Sequence, residues 1–241
     1  LAGLVAHSGG RAAWWWIAGG AIAMGTGIWS MHFIGMLAFR LPIPLGYGLG
    51  ITLLSWAVPI AASALALAQI ARKRVRPAQL AYSAVLIGVG INAMHYIGMA
   101  ALRMQPGIVW NPWLVALSMA IAVGASGASF WVAARLRSHT QGGWLLRSGA
   151  ALCMGLAIAG MHYTGMAAAG FPAGSVCLSA DTPFSLTELA MLVILATVGI
   201  LLIALITSVF DQRLTARTQV LGLSMGTATQ GQELLRGERG A

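Results

Sequence analysis

Six long apolar runs, separated by short polar segments, cover most of the chain. About 20 apolar residues are enough to cross the hydrocarbon core of a bilayer as a helix, and each run reaches or exceeds that length. The pattern therefore predicts an all-α, polytopic transmembrane helix bundle with six full spans. The predicted spans are Trp14–Phe39, Tyr47–Ala71, Leu80–Leu102, Trp113–Ala134, Ser148–Ala169 and Leu189–Val209.

The composition agrees with a membrane protein. Hydrophobic residues make up 59% of the chain and charged residues only 8%, whereas soluble domains carry about 25% charged residues. The net charge of +9 could indicate a nucleic-acid partner, but the basic residues lie in the short loops and in the tail. This placement is typical of orientation signals, so we expect the lipid bilayer, and no nucleic acid, as a partner.

The basic residues alternate between the two sides of the predicted bundle. One set of connections and ends carries twelve of them, and the other set carries only Arg40 and Arg103. Because cytoplasmic loops are enriched in Lys and Arg, the pattern predicts that both ends of this chain are cytoplasmic. The cytoplasmic set comprises Arg11, Arg72, Lys73, Arg74, Arg76, Arg135, Arg137, Arg147, Arg213, Arg217, Arg236 and Arg239.

A motif of the form Met-His-aromatic-x-Gly-Met occurs three times, in the first, third and fifth predicted spans. The copies are separated by 63 and then 67 residues, so each repeat consists of one motif helix and one return helix. All three motif helices cross in the same direction, which predicts three parallel two-helix repeats. The copies are Met31 to Met36, Met94 to Met99 and Met161 to Met166.

The three histidines lie at similar depths, a few residues past the middle of their spans, and could converge. Each histidine precedes a methionine by four residues, and residues at i and i+4 share one helix face. Imidazole and thioether form a soft ligand set that favours copper, particularly Cu(I). The pairs are His32 with Met36, His95 with Met99 and His162 with Met166. The Met before each histidine points about 100° away on the helix and either completes the site or only packs.

Other interpretations of these residues stay open at this stage. Membrane methionines usually pack, and a histidine can simply hydrogen-bond to a neighbouring helix, although ionisable groups inside membranes are functional candidates by default. A copper transporter or channel is a second hypothesis, with Met24, Cys153 and Met154 as deeper ligands. A haem protein with two axial histidines is a third hypothesis. The sequence shows neither a nucleophile–base pair nor a pair of carboxylates that would indicate an enzyme.

Two further features have structural explanations. Gly35, Gly98 and Gly165 follow the histidines by three residues and should let helices approach closely. Asn92 lies three residues before His95 and either hydrogen-bonds to that histidine or holds two helices together.

At these motifs the chain resembles the MHYT domain family, since its third copy reads Met161-His162-Tyr163-Thr164 and the segments GIWSMHFIGMLAF and MHYTGMAA are also typical of that family. The resemblance extends from about Ala12 to Arg213. It implies a bacterial inner-membrane sensory module, usually of seven helices, that detects a diatomic gas (O2, CO or NO) or a redox state through bound copper. It also implies a cytoplasmic signalling partner with a cyclic-di-GMP or kinase output. Position by position, the implied metal ligands are Met31, His32, Met36, Met94, His95, Met99, Met161, His162 and Met166.

The expected organisation has three parts. Residues 1–11 are expected to be the remnant of a preceding helix, residues 12–213 the MHYT-like membrane domain, and residues 214–241 a cytoplasmic tail.

Overall fold

Six helices account for most of the residues that the computed structural model describes, which are 11–70, 76–136, 143–180, 186–207 and 209–210. They are α1 (Arg11–Ala38), α2 (Leu49–Ile70), α3 (Pro77–Ala100), α4 (Pro112–Leu136), α5 (Gly143–Ala167) and α6 (Leu186–Thr207). The predicted all-α membrane bundle is thereby confirmed. The expected remnant before Arg11, most of the basic loop residues and the expected tail at 214–241 lie outside the described residues.

Five of the six helices are long and apolar enough to cross a membrane. In the remaining helix, α5, the apolar run that the structure describes is shorter and covers Ala151–Ala167. The protein is therefore a multi-pass membrane protein, with α5 as its least apolar helix.

The three motif helices contact one another. Helix α2 packs against α1 and α3, and α4 packs against α3 and α5. Because each motif helix touches both others, the motifs lie on helices that meet around a common centre. These contacts fall within the first of two compact units, which ends at Thr197; the second unit begins at Val198 and contains the described end of α6.

Glycines allow the first two motif helices to pack closely on their return helices. A methyl group on Gly25 of α1 would lie only 2.6 Å from Cα of Ile60 in α2. The equivalent glycine of α3, Gly88, would bring a methyl group to 2.7 Å from Cα of Val123 in α4. Small residues permit this approach in membranes, where dispersion contacts and hydrogen bonds hold helices together.

Two pairs of short strands connect the loops that follow α3 and α5. Strand β1 (Met104–Gln105) pairs antiparallel with β4 (Val176–Cys177), and β2 (Val109–Trp110) pairs antiparallel with β3 (Ala169–Gly170). The loop after α1 joins the same layer, because the backbone amide of Gly48 donates a 2.8 Å hydrogen bond to the carbonyl of Ala101. The layer lies at the C-terminal ends of the motif helices, on the side that the charge pattern predicts to be outside the cytoplasm.

Candidate metal centre

The histidines of the three motifs meet in one cluster. Nδ1 of His32 lies 3.1 Å from Nδ1 of His162 and 3.1 Å from Nδ1 of His95. One ring nitrogen from each histidine lies within 4.8 Å of the others. The predicted convergence at matched depth is therefore present, with one imidazole contributed by each motif helix.

The cluster is shielded from solvent. His32 and His95 have no exposed surface, and His162 is 1% exposed. The aromatic residue that follows each histidine packs edge-on against it, with ring centroids 4.8 Å apart for Phe33, 4.9 Å for Tyr96 and 5.2 Å for Tyr163. The aromatic position of the motif thus forms part of the wall around each imidazole.

The Nε2 atoms face away from the centre, toward the glycines of the motifs. A methyl group on Gly98 would overlap Nε2 of His32, one on Gly165 would overlap Nε2 of His95, and one on Gly35 would overlap Nε2 of His162. Nε2 of His32 and Nε2 of His95 are buried without a hydrogen-bond partner among the described residues. Nδ1 of His32 therefore faces the Nδ1 atoms of both other histidines, and the Nε2 atom of each imidazole faces a neighbouring helix.

This arrangement suits a cation better than it suits three neutral imidazoles alone. A neutral imidazole nitrogen carries either one proton or one lone pair. Nδ1 of His32 is 3.1 Å from two other Nδ1 atoms, and it can make a well-directed hydrogen bond with only one of them. A cation at the centre accepts lone pairs from all three nitrogens, so the residues fit a metal ion. Two nitrogens bound to one metal at ~2.0–2.1 Å are roughly 3.3–3.5 Å apart, close to the 3.1 Å from Nδ1 of His32 to each of the other two Nδ1 atoms.

The methionines of the motifs are less alike than the histidines. Met36, Met94, Met99 and Met161 are fully buried, at no more than 1% exposure, whereas Met31 and Met166 are half-buried. Four of the six therefore belong to the same buried core as the imidazoles. Their role as sulfur ligands stays a prediction.

A polar network behind His95 was only partly predictable from sequence. Asn92 donates a 2.9 Å hydrogen bond to the carbonyl of Gly88 and accepts one from Ser118 of α4 at 3.2 Å. The hydroxyls of Ser118 and Tyr96 are 2.9 Å apart. Asn92 therefore holds α3 and α4 together, which was one of its two predicted roles. A serine in an otherwise apolar span was the only sequence signal for Ser118.

Two of the three deeper residues considered for transport, Cys153 and Met154, lie beside a neighbouring helix. Met154 accepts a 3.1 Å hydrogen bond from Ser129 of α4. Together with Cys153 it lines a groove of about 630 Å³ between α4 and α5. These contacts place both residues against α4, in a groove that does not include the histidines.

The fold and the cluster define a multi-pass helical membrane protein with three parallel repeats around a buried trio of imidazoles. The MHYT family model, described as a bacterial signalling protein N-terminal repeat, matches residues 25–83, 88–143 and 155–222. The chain belongs to this family, whose domain has a sensory role in signalling proteins. The three matched segments coincide with the three repeats.

The relatives are signalling proteins much longer than this chain. The bifunctional diguanylate cyclase/cyclic di-GMP phosphodiesterase MucR of Pseudomonas aeruginosa is 55% identical over 230 residues, which cover 95% of this chain and 34% of that protein. The cyclic di-GMP phosphodiesterase NbdA of the same organism is 43% identical over 165 residues, or 67% of this chain and 21% of that protein. The signalling protein YkoW of Bacillus subtilis is 35% identical over 158 residues, or 65% of this chain and 20% of that protein.

The chain therefore spans about a third or less of the length of these relatives. Two of these proteins have enzymatic activities in their names, but the chain matches only 34% and 21% of their lengths. No solved structure matches the chain.

Proposed function

We propose that this chain is a copper-dependent membrane sensor, which detects a diatomic gas (O2, CO or NO) or a redox state and signals to the cytoplasm. The observation that carries the proposal is the convergence of Nδ1 atoms from His32, His95 and His162, one from each repeat. The sensory role of the family supports the signalling part. We infer the metal and the gas from the chemistry of the cluster.

The charge balance of the cluster favours a monovalent ion. The cluster of described residues consists of three imidazoles and contains no carboxylate or thiolate. A buried charge is costly unless it is compensated, and a divalent ion costs more than a monovalent one. Cu(I) carries a single charge and accepts imidazole and thioether ligands. This combination favours Cu(I) over Zn²⁺ and leaves the motif methionines, including the buried Met36 and Met99, as further ligands.

The three histidines form a cluster that is buried from solvent. His32, His95 and His162 would hold the ion, and the aromatic walls and the outer layer of loops would limit access to small molecules. A bound Cu(I) would supply a soft, redox-active centre that can take up a diatomic ligand. Each histidine belongs to a different motif helix, so a change in the preferred separation of the imidazoles would shift α1, α3 and α5 relative to one another. Signalling then requires that the two helix arrangements have different affinities for the stimulus.

The direction of signalling follows from the predicted orientation. The basic loops indicate cytoplasmic ends and a location in the bacterial inner membrane. A cytoplasmic partner or segment with cyclic-di-GMP or kinase output would receive the shift. The names of the two Pseudomonas relatives, which both concern cyclic di-GMP, favour a cyclic-di-GMP output.

The alternatives fit the described residues less well. A haem with two axial histidines needs its flat macrocycle between the imidazoles, whereas the nearest Nδ1 atoms are 3.1 Å apart. A copper transporter needs a second set of ligands along the same path, whereas Cys153 and Met154 line the groove beside α4. Both observations favour a closed binding site.

The direct test is a Cu(I) titration of the detergent-purified protein against a chromophoric chelator. We expect equimolar binding by the parent chain and loss of binding in His95→Ala, with membrane insertion unchanged. His139→Ala serves as the matched control, since this histidine lies outside the motifs. Full copper stoichiometry in His95→Ala would overturn the assignment.

A further inference from the structure

The contacts between motif glycines and histidines follow a cyclic order around the three repeats. Gly98 of the second repeat meets His32 of the first, Gly165 of the third meets His95 of the second, and Gly35 of the first meets His162 of the third. In all three cases the atoms nearest to a methyl group on the glycine are Nε2, Cδ2 and Cε1 of the imidazole. Each motif thus provides one imidazole and the surface on which the imidazole of another repeat rests.

We propose that Gly35, Gly98 and Gly165 are positioning residues that turn Nδ1 of each imidazole toward the centre of the cluster. The bare backbone of the glycine lets the Nε2 edge of the ring lie directly against the neighbouring helix. With that edge covered, Nδ1 is the nitrogen available at the centre. The role of Nδ1 as a ligand rests on the proposed metal-binding function, whereas the contacts between the glycines and the imidazoles do not require a bound ion.

The role differs from ordinary close packing of helices. Gly25 and Gly88, which also lie on motif helices, face the backbone of a return helix. Gly27 on α1 and Gly160 on α5 face open space, since a methyl group there would meet nothing within 4 Å. Of the motif-helix glycines that the structure describes, the ones three residues after each histidine are those that meet an imidazole. The Gly at the fifth motif position is therefore explained by a side chain from another repeat.

The cyclic pairing can be tested by a double-mutant cycle on the metal-free protein. Gly98→Ala should lower the thermal unfolding midpoint in detergent, because the added methyl group overlaps the ring of His32. In a His32→Ala background this ring is gone, and the same substitution should cost little. In a His162→Ala background the ring of His32 is still present, so Gly98→Ala should lower the unfolding midpoint by its full amount. Gly160→Ala is the matched control, since it makes the same chemical change on a motif helix with open space around it.

If Gly98→Ala does not accumulate, the double variants decide the question. Recovery of folded protein in the His32→Ala background but not in the His162→Ala background would support the pairing. Recovery in both backgrounds or in neither would overturn the pairing. The pairing would also be overturned if Gly98→Ala lowered the unfolding midpoint no more than Gly160→Ala does.

A second readout concerns the ring nitrogen. In copper-loaded protein, Raman bands that distinguish Nδ1 from Nε2 coordination should report Nδ1 ligands, and Gly98→Ala should weaken Cu(I) affinity about 10- to 100-fold, as is typical when a support of a metal ligand is lost. Coordination through Nε2 in the parent chain would overturn the positioning role. If the metal-free cycle shows the predicted coupling while no copper binds, the positioning role holds and the proposed copper function fails.

Discussion

Ser118→Ala should destabilise the bundle more than removal of another buried serine from the same helix. Ser118 lies on α4 with no exposed surface, and its hydroxyl contacts Tyr96 and Asn92 of α3. Ser126, two turns further along α4, is equally buried, and its hydroxyl has no hydrogen-bond partner among the described residues. The two substitutions remove the same atom from the same helix, but only Ser118→Ala breaks hydrogen bonds to a neighbouring helix.

The expected magnitude follows from those hydrogen bonds. Interhelical hydrogen bonds in membrane proteins contribute about 0.6 kcal/mol on average and up to about 1.7 kcal/mol. The Ser118 hydroxyl can accept one from Tyr96, and its single proton is shared between Oδ1 of Asn92 and the carbonyl of Val115 in its own helix. Its substitution should therefore lower the free energy of unfolding by about 0.6–3 kcal/mol. Removal of the Ser126 hydroxyl should be neutral or slightly stabilising, because a buried hydroxyl without a partner carries a desolvation cost.

Denaturation by sodium dodecyl sulfate in mixed micelles, followed by tryptophan fluorescence, measures both variants on one scale. Equal effects of the two substitutions, or a larger destabilisation by Ser126→Ala, would refute the assigned network. Cu(I) affinity should also fall in Ser118→Ala, since Tyr96 packs edge-on against His95 at 4.9 Å.

Gly25→Ala should lower the free energy of unfolding by about 1–3 kcal/mol, because the added methyl group overpacks against Ile60. Gly19 faces open space, so Gly19→Ala should leave the free energy of unfolding unchanged. Detergent denaturation of both variants measures the difference. Cu(I) at about 100 times its dissociation constant should stabilise the parent chain by about 2.7 kcal/mol and leave His95→Ala unchanged, which thermal unfolding at several copper concentrations would reveal. Alkaline phosphatase fused after residue 241 should be inactive and a green fluorescent protein fused there should be fluorescent, whereas the reverse pattern would contradict the predicted cytoplasmic end.

The spans and the meeting of the histidines could be predicted because each depends on a strong, local signal. Apolar runs of 20 or more residues specify membrane helices almost regardless of context. The motif recurs on helices that cross in the same direction, so His32, His95 and His162 had to lie at one depth. Convergence then required only that the motif helices be neighbours.

The cyclic order of the glycine contacts could not be predicted, because it depends on which motif helix lies on which side of another. The spacing from His32 to Gly35 gives the helix face but not the partner. The four short strands were also missed, since two residues are too few to show the alternation that marks a strand. For Asn92, the sequence offered two roles, and only the position of Ser118 on α4 distinguishes them.

The metal content of the protein purified from bacterial membranes, measured together with its absorption spectrum, is the most direct test of a copper centre at the three imidazoles. The parent chain should contain copper in near-equimolar amount, and the triple variant His32→Ala/His95→Ala/His162→Ala should contain none. Absence of metal from the parent chain even after loading with Cu(I), or equal copper in both proteins, would contradict a copper centre at the three imidazoles.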